Sequence, residues 1–391
     1  MNHFTKSLIT LILAFFSINS ATAYDFEVDG IYYNIISLSD LTCEVTYPSN
    51  NTYSREITIP DKVIYNNRSI SVSAIGIRAF DSSNLLTSIN IPNSVLTIGS
   101  YAFNNCRYLT SILIPNSVTS IGQSAFENCS SLTSIVIPNS ITYISNGTFK
   151  YCKTLKSIEI PNSVTRISSD AFYNCSSLES IEIPNSVTVI ESGAFQNCKS
   201  LKSIKIPNSV TEISSWIFDD CSSLVSIEIP NSVRIIADYS FKGCPIQSLT
   251  IDCDLLLSHN PYLYNVKDLT IGKHTKEVQL KVYECEDLTK LVCHAITPPT
   301  GLEATNKQYM DVEVKVPKGC LEAYQNAEGW KNFWNMSEME DDESGVETVI
   351  AETPKAEIAR YNLQGQMVGD DYRGIIIVKY SDGSTAKMIN Q

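Results

Sequence analysis

The sequence predicts a repeat solenoid, built of short parallel strands joined by short helical or 3₁₀ turns, with a β-rich N-terminal cap and a small β-rich C-terminal module. Three observations predict it. A 23-residue phrase returns from Leu86 to Cys244, with proline at Pro92, Pro115, Pro138, Pro161, Pro184, Pro207 and Pro230. Phenylalanine keeps the same period at Phe80, Phe103, Phe126, Phe149, Phe172, Phe195, Phe218 and Phe241, and cysteine keeps it at Cys106, Cys129, Cys152, Cys175, Cys198, Cys221 and Cys244. Ahead of each proline, two isoleucines stand two apart, as Ile112 and Ile114 do, the spacing of inward positions on a short extended segment. A fixed period of this length means that each unit buries its apolar face only against its neighbours. Recognition over a long repeated surface, rather than catalysis in an enclosed pocket, is the default expectation.

Residues 1–23 read as a signal peptide. Lys6 gives a basic start, Leu8 to Ile18 is apolar but too short to span a bilayer, and Ala21-Thr22-Ala23 matches an A-x-A cleavage site. The expected location is therefore secreted or on the outer cell surface. Residues 24–72 read as a β-rich N-terminal cap, with strands at Phe26–Val28, Tyr32–Ile35, Cys43–Tyr47 and Ile57–Ile59. Asn66-Asn67, between Val63–Tyr65 and Ile70–Val72, is a hairpin turn signal. Ile59-Pro60 precedes Ile91-Pro92 by 32 residues instead of 23, so this coil carries a nine-residue insertion.

Residues 73–244 hold the regular repeats. In one coil, Leu109, Ile112 and Ile114 form an extended segment that Pro115 ends, because proline cannot donate to a strand ladder. Val118 and Ile121 carry inward contacts round the turn, and Ala125, Phe126 and Cys129 fit a single helical or 3₁₀ turn opposite. Burying each such side chain is worth roughly 1.5–3 kcal/mol before conformational entropy is charged. Residues 245–335 read as irregular repeats and a C-terminal cap. Cys285, Leu288 and Leu291 restore the spacing of Cys129, Leu132 and Ile135, and coils are expected to about Val316-Pro317. Leu321 to Phe333 reads as a terminal helix. Residues 336–355 read as an acidic linker, and 356–391 as a small β module with strands at Ile358–Leu363, Gly374–Tyr380 and Ala386–Ile389.

The chain carries 29 Lys and Arg against 42 Asp and Glu, a formal charge of −13, without a basic run. That argues against nucleic acid and anionic lipid as partners, and no segment downstream of the signal peptide is long and apolar enough to be transmembrane. Of the twelve cysteines, the seven of the repeat column read as stacked buried thiols, small hydrophobes rather than disulfides; Cys43, Cys253, Cys285, Cys293 and Cys320 share no phase, and no bridge is assigned to them. No catalytic constellation, metal site or cofactor site emerges: beyond the signal peptide the histidines His259, His274 and His294 are scattered, adjacent Cys293 and His294 cannot face one another, and Asp252-Cys253-Asp254 lacks a full set of calcium ligands.

The unit Leu-x-x-Ile-x-Ile-Pro-x-x-Val-x-x-Ile-x-x-x-Ala-Phe-x-x-Cys resembles the leucine-rich repeats of BspA-type bacterial surface proteins. It departs from the common leucine-rich repeat in having no asparagine at the inner turn after the strand. Val316 to Lys331 resembles the usual end of such arrays in Bacteroides-like bacteria, and Tyr361–Gln366 with Gly374–Val378 resembles C-terminal sorting modules of Gram-negative secretion systems. The resemblance implies a secreted or surface-displayed, non-enzymatic protein that adheres to an extracellular protein or glycan on host or bacterial cells. It names no ligand and no oligomeric state.

The outward positions of the strand column are the candidate ligand-binding residues. One row runs Thr87, Thr110, Thr133, Lys156, Glu179, Lys202 and Val225; the other runs Asn90, Leu113, Val136, Glu159, Glu182, Lys205 and Glu228. The charges of neighbouring coils, about 5 Å apart, could simply neutralise one another. Exposed Leu113 and Val136, flanked in sequence by Tyr108 and Tyr143, suggest contact with a partner. A structural surface-layer or spacer protein without a specific ligand is the alternative reading.

Overall fold

The computed structural model describes residues 24–48, 53–254, 256–257, 262–278, 282 and 285–340, together with the backbone of strands Glu357–Asn362, Gly374–Tyr380 and Thr385–Asn390. Residues 1–23, most of the acidic stretch and the Gln364–Gln366 and Asp382–Gly383 turns lie outside the described residues. The chain divides into two units, Met1–Met339 and Glu340–Gln391.

The first unit is a pile of coils whose interior is one continuous apolar cluster from Phe26 to Phe333. Its spine is the phenylalanine column. Phe80 through Phe241 are all fully buried, each ring stacked on the next at centroid distances of 5.1 to 5.9 Å. The cysteine column runs beside it. Each Sγ donates to the carbonyl of the phenylalanine one coil earlier, from Cys106 to Phe80 at 3.0 Å through Cys244 to Phe218 at 2.9 Å. These thiols are free, as are all twelve cysteines, and only Cys320 is not buried. The thiol is small enough to sit in the stack and gives a second hydrogen bond to a carbonyl that already accepts the amide three residues on, as Phe103 does from Cys106 at 3.1 Å.

Two strand columns flank this core, not one. The first follows the Leu-x-x-Ile-x-Ile phrase: Ser54–Thr58 pairs in parallel with Leu85–Asn90, Ser111–Ile112 with Ser134–Ile135, and Ser226–Ile229 with Ser248–Ile251. The second is built from Val118 and Ile121 and their equivalents, expected above only to round a turn. Thr97–Ile98 pairs with Ser120–Ile121, Tyr143–Ile144 with Arg166–Ile167, and that strand with Val189–Ile190. Proline separates the columns: its carbonyl accepts from the valine or isoleucine three residues on, as Pro115 does from Val118 at 3.0 Å.

The side expected to hold a single helical or 3₁₀ turn is a run of tight turns closed three residues back. Ala102, Asn104 and Cys106 donate to carbonyls three residues back, at Gly99, Tyr101 and Phe103, whereas Tyr101, Phe103 and Asn105 donate to the next coil, at Gln123, Ala125 and Glu127. Left-handed backbone at Tyr101 (φ 58°) and Asn105 (φ 57°) reverses the local curl twice per coil. That reversal stops a helix from winding and turns alternate amides toward the neighbouring coil.

The N-terminal end is closed by β1 (Phe26–Val28), β2 (Ile31–Ser37), β3 (Thr42–Thr46), β5 (Lys62–Tyr65) and β6 (Arg68–Ile75), while β4 (Ser54–Thr58) opens the first column. The nine-residue insertion is the β5–β6 hairpin, turned by Asn66 and Asn67 at φ 49° and 57°, values asparagine tolerates. Tyr53 covers the end of the phenylalanine stack, 4.6 Å from Phe80, and anchors its hydroxyl on the Thr46 carbonyl at 2.7 Å.

At the other end the first column continues through Asp268–Ile271, Lys290–Cys293, Glu313–Val316 and Met336–Glu338. Met336–Glu338 falls where the acidic linker was expected to begin; its amides are committed to a ladder with Val314–Val316. The terminal helix is only Leu321–Asn326, not Leu321 to Phe333. Beyond it the chain turns so that Trp330 and Phe333 are buried, with Trp330 Nε1 donating to the Pro299 carbonyl at 2.7 Å. A second short helix, Asn306–Asp311, was not anticipated. Thr305 and Gln308 form its capping box, and buried Gln308 ties it to the Val282 and Cys285 carbonyls.

In the second unit, Gly374–Tyr380 pairs antiparallel with both Glu357–Asn362 and Thr385–Asn390.

Candidate binding surface of the first strand column

Alternation along the first column points Ile112 and Ile114 inward and Leu113 outward. Leu113 and Val136 are 70% and 64% exposed, while their inward neighbours are buried. Backbone bridges join Asn90 to Leu113, Val136 to Glu159, and Glu159 to Glu182, so these residues form one ribbon along the face. The companion row is joined by its own amides: Thr133 to the Thr110 carbonyl at 3.2 Å, Glu179 to Lys156 at 3.0 Å and Lys202 to Glu179 at 3.2 Å. Tyr143, close to Leu113 and Val136 in sequence, belongs to the second column and does not share this ribbon.

The charges on the face do not simply cancel. Lys202 Nζ meets Glu179 Oε2 at 3.0 Å, and that hydrogen bond holds the Glu179 carboxyl below its usual range. Lys156, Glu159, Glu182, Lys205 and Glu228 make no ion pair among the described residues. Glu159 and Glu182 are adjacent rungs of like charge, an arrangement that costs stability in a sheet. Between Glu182 and Glu228 the ladder lapses: the coil of Lys205 carries no strand or bridge in this column. Shallow depressions lie on either side of it. One, of about 370 Å³, is lined by Glu159, Glu182, Lys205, Asn185 and Ser186; the other, of about 240 Å³, by Ser203, Ser226, Glu228 and Thr250.

The groups that sequence reading weighed for chemistry are committed to the fold. Burial pushes the Cys293 thiol up to about 11, and the Tyr324 hydroxyl lies 3.1 Å from its sulfur. The neighbouring His294 donates its backbone amide to Ile271 at 2.8 Å, as a rung of the ladder. Asp252 accepts the His274 amide at 2.9 Å and faces His274 Nδ1 at 2.7 Å; Asp254 accepts the amides of Lys276 and Glu277, which hold its carboxyl below the usual range. These aspartates tie one coil to the next. Among the described residues no group of three or more His, Cys, Asp or Glu is placed to hold a metal ion, and no helix is long and apolar enough to cross a membrane.

Comparison with known proteins agrees with this geometry. The family profile of the BspA type leucine rich repeat region matches in six copies, over residues 73–202, 142–270 and 188–297. A crystal structure of a leucine-rich repeat protein from Bacteroides ovatus is similar at 25% identity and a TM-score of 0.50, covering 77% of this chain and 80% of that one. The leucine-rich repeat protein of T. pallidum is 27% identical with a TM-score of 0.45, covering 51% of this chain and 90% of that one. No curated protein matches.

Proposed function

Because the chain belongs to the BspA-type leucine-rich-repeat family, whose members are interaction modules rather than enzymes, we propose that it binds an extracellular macromolecule through its first strand column. The partner is a protein or glycan on host or bacterial cells, and binding is spread over several coils without a cofactor. One observation carries this reading. The exposed pair Leu113 and Val136 runs directly into the unpaired carboxylates of Glu159 and Glu182 on one ribbon. Apolar exposure and stacked like charge both reduce the stability of the isolated chain, and a partner with an apolar patch beside basic groups would relieve both. Asn90, Lys156, Glu179, Lys202, Lys205 and Glu228 extend the same surface. The signal-like residues 1–23 would direct export, and the β module of 356–391 would serve sorting or attachment at the surface.

The test is adhesion of the purified chain to immobilised host cells and bacterial cells. Leu113→Asp and the double reversal Glu159→Lys with Glu182→Lys are expected to weaken it, each without loss of folded structure. Adhesion unchanged by both would reject the strand face and leave a spacer role, which the Lys202–Glu179 pair by itself would suit.

A further inference from the structure

A second surface, on the turn side of the coils, is independent of the strand face. The residue two before each column phenylalanine has left-handed backbone: Arg78, Tyr101, Ser124, Gly147, Asp170, Gly193, Trp216 and Tyr239 have φ between 53° and 66°, and Tyr262, 23 residues after Tyr239, has φ 63° although no phenylalanine follows it. Glycine suits this position, and Gly147 and Gly193 show that the coil accepts it. Large aromatic residues there carry a backbone cost that a glycine avoids. Nevertheless three successive coils place Trp216, Tyr239 and Tyr262 at it.

These rings are neither core nor scattered. Trp216 is 44% exposed and Tyr239 36%. The indole lies parallel to the Tyr239 ring, 1° between planes and 5.6 Å between centroids, and Tyr239 lies 5.4 Å from Tyr262. One face of the indole is thus covered by Tyr239. The other is turned toward the coil of Gly193, the rung without a side chain.

Polar groups converge on that glycine. A Cβ placed on Gly193 would lie 2.6 Å from Asp170 Oδ1 and 3.3 Å from Gln196 Oε1. The other oxygen of Asp170 is held by Lys150 Nζ at 2.8 Å, and the ammonium in turn lies 4.6 Å over the Tyr173 ring. Gln196 is held from the opposite side, its Nε2 donating to Asp219 Oδ2 at 2.7 Å. Two fixed acceptor oxygens therefore flank a flat apolar platform at a position one coil deep, close to the spacing at which stacked rings rest on one another.

We propose that the Gly193 rung is a carbohydrate subsite, in which a pyranose ring of an extracellular glycan stacks its C–H face on Trp216. Its rim hydroxyls donate to Asp170 Oδ1 and Gln196 Oε1. A sugar fits these groups better than an aromatic side chain of a protein partner. A phenyl ring would take up the indole face but bring no donor to the two acceptors, which would lose water without replacement.

The experiment titrates the full chain with cellohexaose, mannohexaose and chitohexaose, followed by calorimetry and tryptophan emission. At least one hexasaccharide is expected to bind saturably and shift the emission. Trp216→Ala should weaken that binding about tenfold or more, the equivalent of one lost stacking contact. Gly193→Tyr should abolish it by filling the rung; its Cβ must displace the Asp170 carboxylate end, and far-ultraviolet circular dichroism checks that the coils are kept, as they are with tyrosine at Tyr101 and Tyr239. Asp170→Asn should weaken binding while the emission shift at saturation remains. Failure of all three sugars to bind, or binding unaffected by Trp216→Ala and Gly193→Tyr, overturns the proposal. So does a tyrosine-rich peptide that binds at Trp216 when the sugars do not. Leu113→Asp should leave sugar binding unchanged, which separates this site from the strand face.

Discussion

Raising the pH from about 8 to about 10 addresses the interior of the solenoid directly, through proton linkage. Cys106, Cys129, Cys152, Cys175, Cys198 and Cys221 are fully buried. Burial pushes Cys106, Cys152 and Cys198 up to about 12, and Cys129, Cys175 and Cys221 well above the ordinary value of 9.0. Above pH 9 the unfolded chain releases these protons while the folded chain keeps them. The column's contribution is therefore complete below pH 9 and declines as the pH climbs toward 12. At pH 10 the loss is about 1.4 kcal/mol per thiol, on the order of 8 kcal/mol for the six. Domains of ordinary stability have only about 5–15 kcal/mol in total. Urea unfolding followed by far-ultraviolet circular dichroism at the two pH values measures the loss. Cys152→Ser removes one titrating group, so its stability should fall with pH less steeply by about one thiol's share. Equal midpoints at both pH values, or an undiminished slope in the variant, would refute the linkage. The same chemistry predicts that a thiol reagent at neutral pH modifies native Cys320 alone and all twelve cysteines after unfolding.

Three further outcomes follow from the packing. Phe149→Ala removes a ring held between Phe126 and Phe172 and should cost about 3–5 kcal/mol in chemical denaturation, whereas Leu113→Ala on the exposed ribbon should leave the midpoint nearly unchanged. Asn67→Val forces a β-branched residue into φ 57° and should destabilise the cap by about 1–2 kcal/mol; Asn67→Gly should be close to neutral, and a thermal melt reads both. Exchanging Lys202 and Glu179 for alanine, singly and together, should reveal a coupling that disappears as salt is raised, because both groups are exposed.

Much of the interior was legible because it is written in phase. Phe103 and Phe126, or Cys129 and Cys152, recur at one interval, and any stacking of identical coils must bring them into register. The insertion was legible for the converse reason: nine extra residues between Pro60 and Phe80 had to leave the coil, and Asn66-Asn67 marked where they turned. The second strand column was not. Strands of two residues such as Thr97–Ile98 carry no alternation to read, and are strands only because the next coil supplies their partners. Met336–Glu338 escaped for the same reason, since its partner lies 22 residues away at Val314–Val316. The ribbon of Leu113, Val136, Glu159 and Glu182 could be read from the repeat, but the absence of ion pairs on its carboxylates could not. The aromatic row ending in Trp216, Tyr239 and Tyr262 was available by counting at the 23-residue interval; nothing in the sequence indicated that this position is left-handed and outward.

The order of residues by itself determined that coils repeat, which side chains are dry and where the array is interrupted, because burial follows hydrophobic periodicity and needs no knowledge of angles. Only the tertiary structure decided what each coil does between its apolar landmarks. Backbone polar groups there choose partners on the neighbouring coil, and those partners come into existence when the stack forms.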